Sequence, residues 1–143
     1  MAAKGATFDN DLLKLIFNAT AIANIADNAA SSPLTNLYVA LSTGTLTSAS
    51  AQNTTEAAYT SYARVAVART TGGWTVTTSS VSPVATISFP ACTGLTETET
   101  YFSVGTTSSS TGKVLYFGTI TPNISVSSGV TPQLTTSSTI TES

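Results

Sequence analysis

From Thr35 onward, apolar residues fall at alternate positions in short runs, and no later stretch returns to a helical spacing. This change of period limits the possible folds more than any motif does. Successive side chains of a strand point to opposite faces, so alternating runs read as half-buried strands. Leu37, Val39 and Leu41 alternate with Tyr38, Ala40 and Ser42, and Ala63, Val65 and Val67 alternate with Tyr62, Arg64 and Ala66. Gly72-Gly73 is placed to turn a hairpin into Trp74-Thr75-Val76-Thr77. Ser82-Pro83 punctuates, and a strand from Val84 to Phe89 is stopped by Pro90. Thr100 to Gly105 sets Phe102 and Val104 against Tyr101 and Ser103. Lys113 to Ile120 is the most apolar strand, with a break expected at Pro122-Asn123. Short runs near 124–126, 131–135 and 139–141 bring the total to seven to nine strands. The polar, aperiodic stretch from Thr43 to Thr60 reads as a long surface loop.

Only the N-terminal segment has the other period. Phe8, Leu12, Leu15, Ile16, Ala19 and Ala23 form a helical stripe with Ile22 beside it, and the pattern fades after Ile25. Thr7 or Asp9 can cap this helix, and Asp9 and Asp11 suit the positive end of its dipole. Asp27-Asn28 and Ser31-Ser32-Pro33 mark the exit. Leu13 and Phe17 lie off the main stripe, so the helix is apolar on more than one face. Such a helix is expected to pack against its own sheet on one side and a neighbouring subunit on the other.

Together these patterns predict a mainly β chain, an antiparallel β-sandwich (jelly-roll-like) with one N-terminal α-helix. The expected layout is a single domain over 1–143, with the helix at about 8–26 and the sandwich at about 35–135. A Ser/Thr-rich tail, 136–143, either adds an edge strand or is ordered by a partner. A βαβ fold is excluded because no helices separate the strands.

Composition then removes function classes. Histidine is absent, which takes away the commonest general base and the commonest metal ligand. The single cysteine, Cys92, cannot form an internal disulfide or a multi-cysteine zinc site, and an inert buried thiol is expected. Charged residues are only 8% and the net charge is −2, so nucleic acid is not an expected partner. No apolar run is long enough to cross a bilayer, and the segment after Met1 lacks the apolar core of a signal peptide. Roughly a third of the residues are Ser or Thr. Hydroxyls must then do most of the solvating, and they lose little side-chain entropy on burial against a partner.

The remaining candidates for chemistry are weak. Glu97 and Glu99, two apart on a strand, would face one side, as a hydrolytic or calcium-binding pair does, but Glu-Thr-Glu is ordinarily a solvated face. The Ser and Thr hydroxyls have no activating base, and Lys4, Lys14 and Lys113 lie in no Ser-x-x-Lys context. Gly72-Gly73 lacks the Lys-Ser/Thr of a phosphate loop. Thr-x-Thr pairs at irregular intervals do not make an ice-binding array, and sequons at Asn18, Asn53 and Asn123 are expected by chance at this Ser/Thr content. No catalytic, metal or cofactor residue is assigned. Arg64 and Arg69 flank an apolar strand. They either pair with a partner's carboxylates across an interface, solvate the strand ends, or pair internally with a Glu. The candidate interface residues are therefore Leu13, Phe17, Arg64 and Arg69.

The order of motifs carries a resemblance. Leu37-Tyr-Val-Ala-Leu-Ser-Thr43 is followed by Tyr62-Ala-Arg-Val-Ala-Val67, Gly73-Trp74 and Ile87-Ser-Phe-Pro90. Then come Tyr101-Phe102, Val114-Leu-Tyr-Phe-Gly118 and Ser128-Gly-Val-Thr-Pro132. Over about 35–135 this resembles small structural proteins of tailed bacteriophages, some tail-fibre-like and some head decoration or cement proteins. The resemblance implies a non-enzymatic protein on the outer surface of the capsid, a dimer or trimer clamping neighbouring major capsid protein subunits. The competing expectations are a tail, neck or fibre-attachment component, and a carbohydrate-binding module that stacks sugars on Trp74, Tyr101 or Tyr116.

Overall fold

A computed structural model describes residues 6–22, 26 and 33–142. The chain is mainly β with one helix and antiparallel sheets, as its periodicity predicts. The helix α1 spans Ala6–Asn18, and the first strands are β1 (Asn36–Ser42), β2 (Val65–Ala68), β3 (Trp74–Thr77) and β4 (Ser80–Pro83). There follow β5 (Ile87–Ser88), β6 (Glu97–Gly105), β7 (Val114–Val126), β8 (Gln133–Leu134) and β9 (Ile140–Thr141). Where a single domain is expected, the contacts divide the chain into two compact units interleaved in sequence. The first is Met1–Asn36, Val67–Thr86 and Thr135–Ser143, and the second is Leu37–Ala66 and Ile87–Leu134. Neither is a continuous segment, so neither can be excised as one piece.

In the first unit, β3, β4 and β9 form a three-stranded sheet with β4 in the middle. β3 and β4 pair from Trp74↔Pro83 to Thr77↔Ser80, through a tight turn with Thr78 at φ 53°. The Ser/Thr tail supplies β9, whose Ile140 pairs with Val81, so the tail adds an edge strand. Gly72-Gly73 does not make the expected hairpin, because β2 and β3 lie in different sheets. Gly73 instead folds back on the end of β2, where a Cβ would run into the carbonyl oxygen of Ala68.

The helix packs on β3 and β4, and its buried face is Asp9, Leu13 and Phe17. Leu13 and Phe17 are 0% exposed, and the Phe17 ring meets Trp74 edge-on at 4.8 Å. The expected stripe lies elsewhere: Phe8 is 42% exposed, while Leu12, Leu15 and Ile16 are half-buried. Leu13 and Phe17 are therefore interior residues, which corrects their assignment to a subunit interface.

The helix also ends earlier than expected, at Asn18 rather than near residue 26. Ala19 takes a left-handed φ of 54°, and Thr20 N–H reaches back to the Lys14 carbonyl at 3.1 Å, which closes the end of the helix. Ile22 and Ala26 then exchange two antiparallel backbone bonds. Thr7 and Asp9 fall inside the first turns rather than at the cap. Ala23, Ile25, the Asp27-Asn28 and Ser31-Ser32 exit signals, and Lys4 lie outside the described residues.

A four-stranded sheet runs β2-β1-β6-β7, most of it in the second unit, and within that unit β5 pairs with β8. Val39, Leu41 and Val104 are buried from β1 and β6. β7 continues through Pro122-Asn123, where the sequence predicts a break. Its register against β6 jumps from Tyr101↔Thr119 to Glu99↔Ile124, so the extra residues bulge out where a proline without N–H is tolerated. The 43–60 stretch forms no regular strand, yet it is no mere surface loop, because Leu46, Gln52, Ala57 and Tyr59 are buried.

Candidate interaction surface

The second unit's loops are held by one arginine. Arg64 is buried just before β2, and its Nε and Nη2 donate to the two carboxylate oxygens of Glu56 at 2.7 and 2.8 Å. Its Nη1 donates to the Thr107 carbonyl and hydroxyl at 2.9 and 3.0 Å, and Nη2 also reaches the Ser110 carbonyl at 2.6 Å. Planar, five-donor geometry suits arginine to this work and excludes lysine from it. Gln52 completes the cluster, donating to the Tyr38 carbonyl at 3.0 Å and accepting from Thr107 N–H at 3.3 Å. The cluster closes over Gly105, where a Cβ would collide with the Gln52 amide. Tyr62 donates its hydroxyl to Glu56 at 3.0 Å while accepting from Leu41 N–H at 3.0 Å, and burial, then the Glu56 charge, raise its pKa well above the ordinary tyrosine value. Of the three open readings for Arg64, the internal pair with a Glu is the one the fold adopts.

Arg69 is also used internally, in the first unit. Its Nε and Nη2 donate to the Ile16 and Leu15 carbonyls at 2.7 and 2.8 Å, and Nη1 donates to the Leu34 carbonyl at 2.7 Å. The last carbonyls of a helix have no intrahelical donors and sit at the negative end of its dipole, and α1 has no basic residue in its last turn. Arg69 supplies that missing cation from the end of β2. No sequence signal links positions more than fifty residues apart.

The two glutamates of β6 do share a side, as their spacing predicts, but they do not form a solvated face. Glu97 accepts the backbone N–H groups of Ala58 and Tyr59, both at 2.8 Å. Glu99 is 0% exposed, and among the described residues neither of its oxygens meets a donor. Burial foremost, then the neighbouring Glu97 carboxyl, push the Glu99 pKa to about 8. Both effects favour the neutral acid at Glu99, whose proton can be donated toward Glu97, relieving the desolvation and the repulsion together. Tyr59 lies beside the pair with its hydroxyl on the Pro90 carbonyl, and its pKa is raised to about 12, chiefly by burial.

Among the described residues no three acidic, His or Cys groups are placed to hold a metal ion. Cys92 is buried with its thiol toward the Gly94 and Leu95 carbonyls. Trp74 is 2% exposed, which removes it as a sugar-stacking platform, while Tyr101 and Tyr116 are half-buried. With Arg64, Glu56, Arg69, Glu97 and Glu99 engaged within the fold, exposed Ser and Thr outnumber exposed charged side chains among the described residues. In the second unit the exposed large apolar residues are Leu95, at 65% exposure, and Phe117, at 39%. Leu95 also has a left-handed φ of 67°, uncommon for a bulky residue. Phe117 lies on β7, the outermost strand of the four-stranded sheet.

The sheet order and this charge-poor surface can be set beside known families. Residues 6–141 match the family model described as podophage GP4 fiber I protein gp80. The chain belongs to this family. It is a phage structural protein, and the match covers the helix and the nine strands of the described residues. No curated protein matches the chain.

Proposed function

We propose that the protein is a fibre component of a podophage virion, working through contact area and without catalysis. The observation that carries this reading is family membership over 6–141, which takes in both units. The surface chemistry supports it. Hydroxyls and sparse apolar side chains are cheap to desolvate against a neighbour, and the main charged clusters stay inside to hold loops and the helix end. The head-decoration role, with the major capsid protein as partner, shares the virion class but draws no more than that from the family. The partners are accordingly neighbouring fibre or tail proteins and copies of the chain itself.

Particles assembled without this protein test the choice. The fibre reading predicts heads that keep their heat resistance while adsorption to the host falls. Heads that fail earlier on heating, with adsorption retained, would move the protein to the capsid shell.

A further inference from the structure

The outer edge of β7 is built to accept another strand. Among the described residues β7 is the last strand of the sheet and is paired on one side only, with β6. Native sheets blunt such edges with charges, proline or bulges. Here, between Val114 and Thr121, there is no charged residue and no proline. Leu115, Phe117 and Thr119 share one face of this stretch, with Phe117 and Thr119 exposed. The open stretch is bounded on both sides. The Ala51↔Lys113 bridge closes the edge before the strand begins, and the bulge with Pro122 ends it. What remains is a short, uncharged segment in which Phe117 stands exposed beside Thr119.

We propose that two copies of this chain pair antiparallel along β7 about a twofold axis through Phe117. Backbone groups at strand spacing are fully satisfied only by another extended strand. The sequence of the edge is complementary to itself in this register. Phe117 meets Phe117 of the second copy, Leu115 meets Thr119, and Val114 meets Ile120. Lys113, held by its bridge to Ala51, lies just outside the paired stretch, and the two Lys113 side chains stay about 27 Å apart along the strands, well beyond the Debye length. A parallel in-register pairing would instead set lysine against lysine. The result is a continuous sheet across two protomers, and it does not depend on where in the virion the protein sits.

Sedimentation of the full chain at micromolar concentration, with Phe117→Lys as the variant, tests the pairing. The substitution is exposed and sets like charges directly across the twofold axis, so the fold should remain while the mass falls from dimer to monomer. Far-UV circular dichroism and the melting temperature confirm that the variant is folded. In a second variant, Phe117→Cys, mild oxidation should give a covalent dimer, because residues directly opposite bring their Cβ atoms to about 5 Å. Ser125→Cys, exposed beyond the bulge, should not crosslink, and neither should the wild type, whose Cys92 is buried. A wild-type chain that is monomeric alone would overturn the proposal in favour of a strand from another virion protein. A Phe117→Lys variant that stays dimeric would overturn it in favour of another surface.

Discussion

Replacing Glu99 with glutamine isolates the buried carboxyl pair of β6. In the wild type Glu99 has both oxygens buried without a donor, and its pKa moves from the ordinary 4.5 to about 8. Between those two pH values the folded chain holds a proton that the unfolded chain releases. Stability must therefore fall as pH rises through this window and level off above it. The slope is about 1.4 kcal/mol per pH unit, which integrates over the window to on the order of 5 kcal/mol. The glutamine side chain has the same shape, no charge, and an N–H to donate to Glu97. Below pH 4.5 the two proteins should be nearly equal in stability, and above pH 8 the variant should be the more stable by most of that amount. Urea unfolding followed by far-UV circular dichroism across this range reads it out. A slope of about 2 kcal/mol per molar turns the full effect into a midpoint shift of roughly 2.5 M. Parallel pH profiles for the two proteins would show that Glu99 is not a buried neutral acid.

Three further predictions concern the arginines and one strained position. Arg69→Ala removes the donors at the end of α1 and should cost about 1–3 kcal/mol, seen as an earlier change in the fluorescence of Trp74, the sole tryptophan, which packs on the same helix. An unchanged midpoint would mean that the helix end does not need its cation. Arg64→Ala leaves Glu56 in a mostly buried site and should cost about 3–5 kcal/mol, with proteolytic cleavage appearing in 43–60 and 106–112. Arg64→Lys should rescue little of that loss, and full rescue would argue against bidentate anchoring. Leu95→Gly relieves a left-handed backbone and, if the exposed side chain serves only assembly, should raise the stability of the isolated chain by up to about 1 kcal/mol while weakening incorporation into particles. A destabilised Leu95→Gly chain would show that Leu95 packs within the fold.

What the sequence revealed and what it hid follow from the range of the interactions. Period-two alternation is local, so Leu37-Val39-Leu41 and Phe102-Val104 identify β1 and β6 directly, and the common side of Glu97 and Glu99 comes from the same rule. The helix was legible as a helix, but not its inner face. Phe8-Leu12-Leu15-Ile16 and Leu13-Phe17 are both apolar rows, and the shorter row won because Trp74, nearly sixty residues away, packs on Phe17. Its end was hidden because alanine, not glycine or asparagine, takes the left-handed position at residue 19. The roles of Arg64 and Arg69 depend on loops and a helix end that are brought to them only by folding. The burial of Glu99 runs against composition, since isolated carboxyls are ordinarily solvated.

A reconstruction of the podophage virion at residue resolution tests the central claim most directly. The account predicts density for this fold among the fibres at the tail, with the helix and nine strands traceable from 6 to 141. Finding it instead distributed over the head lattice and bound to the major capsid protein would contradict the account.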